Sequence, residues 1–362
     1  MTRITVIRPD ELGPCEISAW RDMQARTPAL QSPFLSPDFT IAVATMRAGA
    51  RVAVLRDGQR IVGFFPHERR ALGIGSAIGM GFSDCQGLIH EPDLVWDARE
   101  LLGKSDLTVW QFDHLLADQR PFAPFHHRAV RSPIIDLSHG YEDYLSRRKS
   151  ERCNVVQTTW RKRRKLEREI GALDFVYDSR DPALLRKVMR WKSAQWLRTG
   201  QPDKFADAPM TGLMSDLFAT REPGCVGTLS VLRADGNPIA GHFGMRSGSV
   251  LTSWFPAYDP EFTKHSPGIL MFFLMAEAAA GDGIRHIDLG KGEMRYKDSL
   301  ANGEIAIAEG SVDRSFAMGA LQRVRYLPDH QLKPWLRRHS QAHAAVRRVR
   351  DGLRVAQRLG TR

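Results

Sequence analysis

The sequence predicts an α/β protein made of two halves of similar plan. Three observations carry this. The 362 residues are about twice the length of a common domain. One hairpin pattern occurs twice, about half a chain apart. A strand–helix–strand run late in the second half has the form of a βαβ unit. Apolar residues make up 43% and charged residues 26%, an ordinary globular balance that argues against disordered and fibrous chains. No apolar run reaches the ~18 residues of a membrane span.

The repeat lies in the hairpins. RVAVLR (51–56), a turn at Asp57-Gly58 and RIVGFFP (60–66) are answered by TLSVLR (228–233), ADGNP and IAGHFGM (239–245). Val54-Leu55-Arg56-Asp57-Gly58, Ile61, Gly63 and Phe64 match Val231-Leu232-Arg233, Asp235-Gly236, Ile239, Gly241 and Phe243, with one residue inserted. Asp-Gly between β-prone runs is a strong hairpin signal.

Between the halves, Tyr141 to Gly171 reads as one helix, free of Pro and of internal Gly. The second half then predicts a strand at 173–178, helices at 183–198 and 209–219, the hairpin, and a long strand at 249–260. Ser266-Pro267-Gly268 opens an apolar helix, with Ser266 as its cap and Pro267 at its first position. Gly268 weakens a first turn unless something must approach the backbone there. A short strand (285–290), a short helix (293–300) and a last strand (305–313) follow. The expected organisation is an N-terminal half (1–140), a basic linking helix (141–171), a C-terminal half (172–318) and a basic amphipathic tail (319–362).

The net charge of +11 is concentrated in two segments. Residues 147–168 hold ten Lys and Arg against Glu151 and Glu167, and residues 319–362 hold eleven against Asp329 and Asp351. Each is suited to phosphates, a membrane surface or nucleic acid, or is a solvated helix face. In the tail, Ala342, Val346, Val349, Leu353 and Ala356 share one helix face, so 330–362 is expected to dock peripherally on a membrane or a partner, with packing onto its own domain as the alternative. The four scattered cysteines make neither a disulfide framework nor zinc spacing, so no metal is expected. With no apolar leader after Met1, the expected compartment is the cytoplasm.

Tyr258-Asp259-Pro260, Ser266-Pro267-Gly268, Asp288-Leu289-Gly290-Lys291-Gly292-Glu293 and Tyr296-Lys297 occur in order and close together. This block resembles the GNAT-like acyltransferase domain of the CelD type, named for cellulose biosynthesis and distantly related to the FemABX peptidoglycan transferases. The basic helix, QWLRTGQPDKF (195–205), Ser36-Pro37 and Ser83-Asp84 extend the likeness over most of residues 30–315. The resemblance implies tandem GNAT-like domains with mixed central sheets. It also implies acyl transfer, acetyl-CoA or another acyl-CoA as co-substrate, and a sugar or glycan acceptor in polysaccharide synthesis. The usual GNAT phosphate loop, Gln/Arg-x-x-Gly-x-Gly/Ala, is missing, and Ser266-Pro267-Gly268 stands in its place. The alternatives are an aminoacyl-tRNA-dependent transferase of the FemABX kind and a non-catalytic accessory subunit. No aromatic-interleaved basic motif supports nucleic acid as partner.

The candidate residues follow from the chemistry. Acyl transfer needs a base for the acceptor, a stabilised oxyanion and an acid for the leaving thiolate. The resemblance implies Tyr296 as that acid; its alternative is a core tyrosine. Asp288, in a strand between Ile287 and Leu289, must have work or a partner, as a base or as a group orienting Lys297 or Tyr296. Glu293 is a second base candidate or a plain first-turn carboxylate. Lys297 is suited to a phosphate, an acceptor carbonyl or a salt bridge to Asp288. His242, mid-strand and facing opposite to Phe243, is a candidate base because an ordinary imidazole titrates near neutrality; its alternative is a structural strand histidine. Ser266, Pro267 and Gly268 are the expected cofactor contacts, because N–H groups at a helix start suit a pyrophosphate. Tyr258 and Asp259 are expected to touch substrate or merely to form the turn with Pro260.

Overall fold

The computed structural model describes residues 2–150, 154–292 and 294–314. The first half runs β1 (Arg3–Ile7), α1 (Pro14–Arg26), α2 (Pro37–Met46), β2 (Ala50–Asp57), β3 (Arg60–Arg69), β4 (Ile74–Ala77), a short β5 (Ile89–His90), α3 (Ala98–Lys104), β6 (Val109–Leu116) and β7 (His126–Asp136). After α4 (Tyr141–Ser150) and α5 (Val155–Glu169), the plan repeats. It gives β8 (Leu173–Val176), α6 (Pro182–Arg198), α7 (Ala208–Ala219), a short β9 (Arg221–Glu222), β10 (Cys225–Ala234), β11 (Asn237–Arg246) and β12 (Val250–Tyr258). It closes with α8 (Pro267–Gly281), β13 (His286–Asp288), α9 (Arg295–Leu300) and β14 (Gly303–Asp313).

All strands join one mixed sheet, ordered β1-β2-β3-β4-β6-β14-β7-β13-β12-β11-β10-β8, with β5 on β3 and β9 on β10. The order is a palindrome of the two halves. β2–β3 and β10–β11 are the repeated hairpins. β4 runs parallel to β6, as β12 does to β13. The last strand of each half is exchanged: β7 pairs with β13 of the second half, and β14 pairs with β6 of the first. β7 and β14 also pair with each other at the centre. Thus β7 lies before the expected boundary at 140 yet belongs to the second half's sheet, and β14 returns to the first.

On one face, Trp20, Phe34 and Phe39 of the first half share a core with Met214, Phe243 and Trp254 of the second. On the other face, Trp110 and Phe122 pack under α3, while Phe272 and Phe273 of α8 cover the second half. The predicted hairpins, the βαβ unit β12–α8–β13, and the short helix and strand after it are all present. The turns differ from each other. Asp235 and Gly236 both have positive φ (49° and 75°), whereas the first turn is Gly58-Gln59, one residue later than expected, with Gly58 at 58°.

The single helix expected over 141–171 is instead two, α4 and α5. Each has its own anchor. α4 is pinned by the Tyr144 hydroxyl, which donates to Leu300 O at 2.9 Å, and by Arg148, which donates to Ala301 O at 2.5 Å. α5 buries Val156, Thr159 and Leu166. The tail beyond Arg314 lies outside the described residues. Among the described residues, no helix is long and apolar enough to cross a membrane.

Candidate active site

β12 and β13 pair only through Val250–Thr252 with His286–Asp288. From Ser253 onward β12 has no strand partner on that side among the described residues, so the sheet opens into a V. Helix α8 begins just beyond the open end of β12, and the 81–84 loop of the first half closes the other flank. That loop is tied across by Trp254, whose indole N–H donates to Phe82 O at 2.7 Å, and by Lys204, which donates to Gly81 O at 2.8 Å.

At the root of the V, Asp288 is 5% exposed. It accepts from Ser132 Oγ at 2.5 Å and from Gly290 N at 2.9 Å. Lys297 does not form the salt bridge to Asp288 that the sequence left open. Its buried ammonium donates to Gly290 O (2.8 Å) and Lys291 O (2.9 Å), locking the loop after β13. Burial lowers its pKa, and the negative charges of Asp84 and Asp288 work against that shift. Gly290, at φ +73°, sits where a Cβ would meet Asp84 Oδ2 at 3.1 Å, so the missing side chain lets that carboxylate in.

Tyr296 stacks on Phe272 with ring centroids 6.0 Å apart. Burial pushes its pKa up to about 12, with help from the charge of Asp84. Its hydroxyl is therefore protonated at neutral pH. Glu293 lies outside the described residues. His242 sits opposite Phe243, as strand alternation requires, but it is sealed. Its ring is 0% exposed, packs edge-on to Phe272 at 6.0 Å and leaves both nitrogens without partners. Burial holds it neutral, with a pKa lowered to about 3.

The helix start differs from the expected cap. Ser266 is in the left-handed region (φ 51°, ψ 51°) and makes no side-chain cap. Its Oγ accepts instead from Lys162 of α5 at 2.7 Å. A non-glycine residue there costs about 1 kcal/mol or more, so the turn is held by its surroundings. Pro267 has no N–H, which leaves the Gly268 N–H as the uncapped donor of the first turn. A Cβ at Gly268 would touch only the Tyr258 ring, at 3.5 Å, so folding alone does not require glycine. Tyr258 thus packs at the helix start. Asp259 caps the short 260–265 turn by accepting from Glu261 N at 3.1 Å. Beside this start, Arg161, Lys162, Arg164, Lys165, Arg168 and Lys264 line a cavity of about 330 Å³.

Two groups in the V carried no role in the sequence. Asp84, its side chain 26% exposed, faces His114 Nε2 at 3.4 Å, and His114 Nδ1 faces Asp113 at 3.0 Å. Burial and the Asp288 charge raise the pKa of Asp84. Lys192 of α6 donates to Pro256 O at 3.2 Å. Burial, with the charges of Lys297 and Lys204, lowers its pKa to about 8. The only sequence signal for Asp84 was the Ser83-Asp84 pair. Lys192 gave none, because a lysine on an amphipathic helix is unremarked.

The architecture is a doubled α/β fold similar to that of GNAT-like proteins. Residues 154–298 match the family described as "Acetyltransferase (GNAT) domain". Among curated proteins, none matches the chain. In fold, it is similar to FemX at 11% identity and TM-score 0.58, over 84% of this chain and 98% of that one. It is also similar to the C-terminal domain of a putative lysylphosphatidylglycerol synthetase from Agrobacterium fabrum, at 14% identity and TM-score 0.53, over 85% and 94%.

Proposed function

We propose that the second half transfers an acyl group, acetyl in the simplest case, from a CoA thioester to an amino or hydroxyl group of a sugar. The observation that carries this is the open V between β12 and β13, with the uncapped start of α8 at its mouth, inside the matched GNAT-type domain. A diphosphate fits the Gly268 N–H and the adjoining Lys162 ammonium. Tyr296, kept protonated, donates to the leaving thiolate. Asp84, a half-buried carboxylate with a raised pKa, takes the acceptor's proton. Asp288 and Lys297 act by fixing the Gly290–Lys291 loop, so they are positioning residues. The polysaccharide setting rests on the sequence resemblance.

Calorimetry with acetyl-CoA tests the donor. Wild type is expected to bind, and Gly268→Val to weaken binding at least tenfold with an unchanged melting temperature, because the added side chain blocks approach to the N–H. Unchanged binding by the valine variant would move the diphosphate elsewhere. The tail, with its net charge of +9, is proposed to hold the protein at an anionic membrane surface. Deleting 330–362 is expected to abolish sedimentation with anionic vesicles at low salt and to spare CoA binding.

A further inference from the structure

The cavity on α5 carries a positive charge that the described residues answer only in part. Arg161, Arg164, Lys165 and Arg168 stand at i, i+3, i+4 and i+7, one stripe of the helix, and Lys162 and Lys264 complete the wall. Like charges at these spacings destabilise a helix. Among the described residues, Glu169 is the carboxylate that pairs with this wall, 2.9 Å from Lys264 and 3.6 Å from Lys165. Among the described residues, Arg161, Lys162, Arg164 and Arg168 have no carboxylate within ion-pair distance. A concave site lined by one sign of charge concentrates that potential on an anion, and guanidinium forks match phosphate oxygens two at a time.

We propose that this cavity is a phosphomonoester subsite that takes the 3′-phosphate of the donor's nucleotide end. The proposal rests on the acyl-CoA donor. Lys162 supplies the geometric link: it borders the cavity and bonds Ser266 Oγ at the α8 start. A ligand with its diphosphate at Gly268 therefore enters the cavity with its next phosphate. The stripe from Arg161 to Arg168 spans about 10 Å, the scale of one phosphorylated nucleoside. Among the described residues, no aromatic side chain lines the cavity, so they offer no stacking platform of the kind that single-stranded nucleic acid uses.

Calorimetry on the full chain decides it, with CoA, 3′-dephospho-CoA and adenosine 3′,5′-bisphosphate as ligands and uncharged tRNA as competitor. Wild type is expected to bind CoA at least tenfold more tightly than 3′-dephospho-CoA. Arg164→Gln/Arg168→Gln, which keeps good helix formers, is expected to erase that preference and leave 3′-dephospho-CoA affinity unchanged. Equal binding of both ligands by wild type overturns the subsite and leaves the CoA donor standing. Failure of both CoA and 3′-dephospho-CoA to bind overturns the subsite and the CoA donor together. Displacement of CoA by tRNA, lost in the same double variant, overturns the proposal in favour of an RNA surface. If the double variant melts early, single Arg164→Lys and Arg168→Lys variants keep the charge and serve instead. They are expected to retain a reduced preference for CoA, and a preference equal to that of wild type in both overturns the guanidinium contacts.

Discussion

The two halves meet the same structural problem with opposite outcomes. In each, two parallel strands pair briefly and then part. In the second half the gap between β12 and β13 stays open. In the first, the gap between β4 and β6 is stitched shut by Gln86. Its backbone bridges to β6 (Gln86 N to His114 O, 2.9 Å), and its side-chain oxygen accepts from Asp113 N (2.9 Å) and His114 N (3.0 Å). The amide nitrogen donates to Asp113 Oδ1 (2.7 Å) and to Ser83 Oγ (3.1 Å). A closed gap needs groups that satisfy its buried N–H donors, and glutamine supplies both a donor and an acceptor. An open gap can hold charged groups, and Asp84, Lys192 and Lys297 all lie there. The filled half still contributes, because the loop that carries Gln86 also presents Asp84 to the neighbouring V.

The largest expected effect tests whether the open gap does the chemistry. Tyr296→Phe keeps the stack on Phe272 and removes the proton. kcat is expected to fall by about 10²–10⁴-fold with the melting temperature unchanged, if Tyr296 is the acid. Normal turnover by a folded variant would return Tyr296 to a packing role.

Next is the unity of the halves. Phe39 of α2 is fully buried against Phe34, Phe82 and Trp254, the last from β12. Phe39→Ala is expected to cost about 3–5 kcal/mol and to lower one shared unfolding transition. Two separated transitions in calorimetry, only one of them shifted, would show that the strand exchange does not couple the halves.

Much of this was legible in the sequence, for physical reasons that differ by element. Asp-Gly between β-branched runs specifies a local turn, so both hairpins could be read, although the exact turn residues of the first could not. The apolar run after Ser266-Pro267 marked α8, because a proline start needs no partner elsewhere. The exchange of β7 and β14 was not legible. Strand pairing is nonlocal, and the pattern of 126–136 is the same whichever neighbour it takes. Ser266 reads as a side-chain cap in the sequence, but the lysine that claims its hydroxyl lies 104 residues away. Asp288 stands out by its apolar neighbours, but its partner Ser132 is 156 residues distant. His242 could be placed on its strand face, but not sealed there without knowing that Phe272 covers it.

A third variant attacks the stitch itself. Gln86→Ala strands two buried backbone donors, Asp113 N and His114 N. A loss of about 2–4 kcal/mol is expected from denaturant melts. A neutral result would mean that water replaces the amide and that the first gap is nearer to open than its hydrogen bonds imply.

The smallest effect compares two buried histidines, one on the return strand of each hairpin. His67 on β3 has Nδ1 3.0 Å from Phe65 O, and burial lowers its pKa to about 4. His242 on β11 has no partner, and burial lowers its pKa to about 3. Both are neutral in the fold, whereas the unfolded chain takes up a proton near pH 6.5. The unfolded state thus binds more protons as pH falls below 6.5, and stability falls with it. The contribution is fully present above 6.5 and is lost toward the folded values of about 4 and 3. Between pH 7 and pH 5 each histidine is expected to remove about 2 kcal/mol. His67→Leu and His242→Leu should each flatten the pH dependence of stability by that amount, and the double variant by their sum. Below pH 4 the two should separate: His67 begins to protonate in the fold, and its share of the slope levels off before that of His242. If His242→Leu leaves the slope between pH 7 and pH 5 unchanged, its ring is reached by water or protons in the folded state, and the β11 face beneath α8 is not sealed.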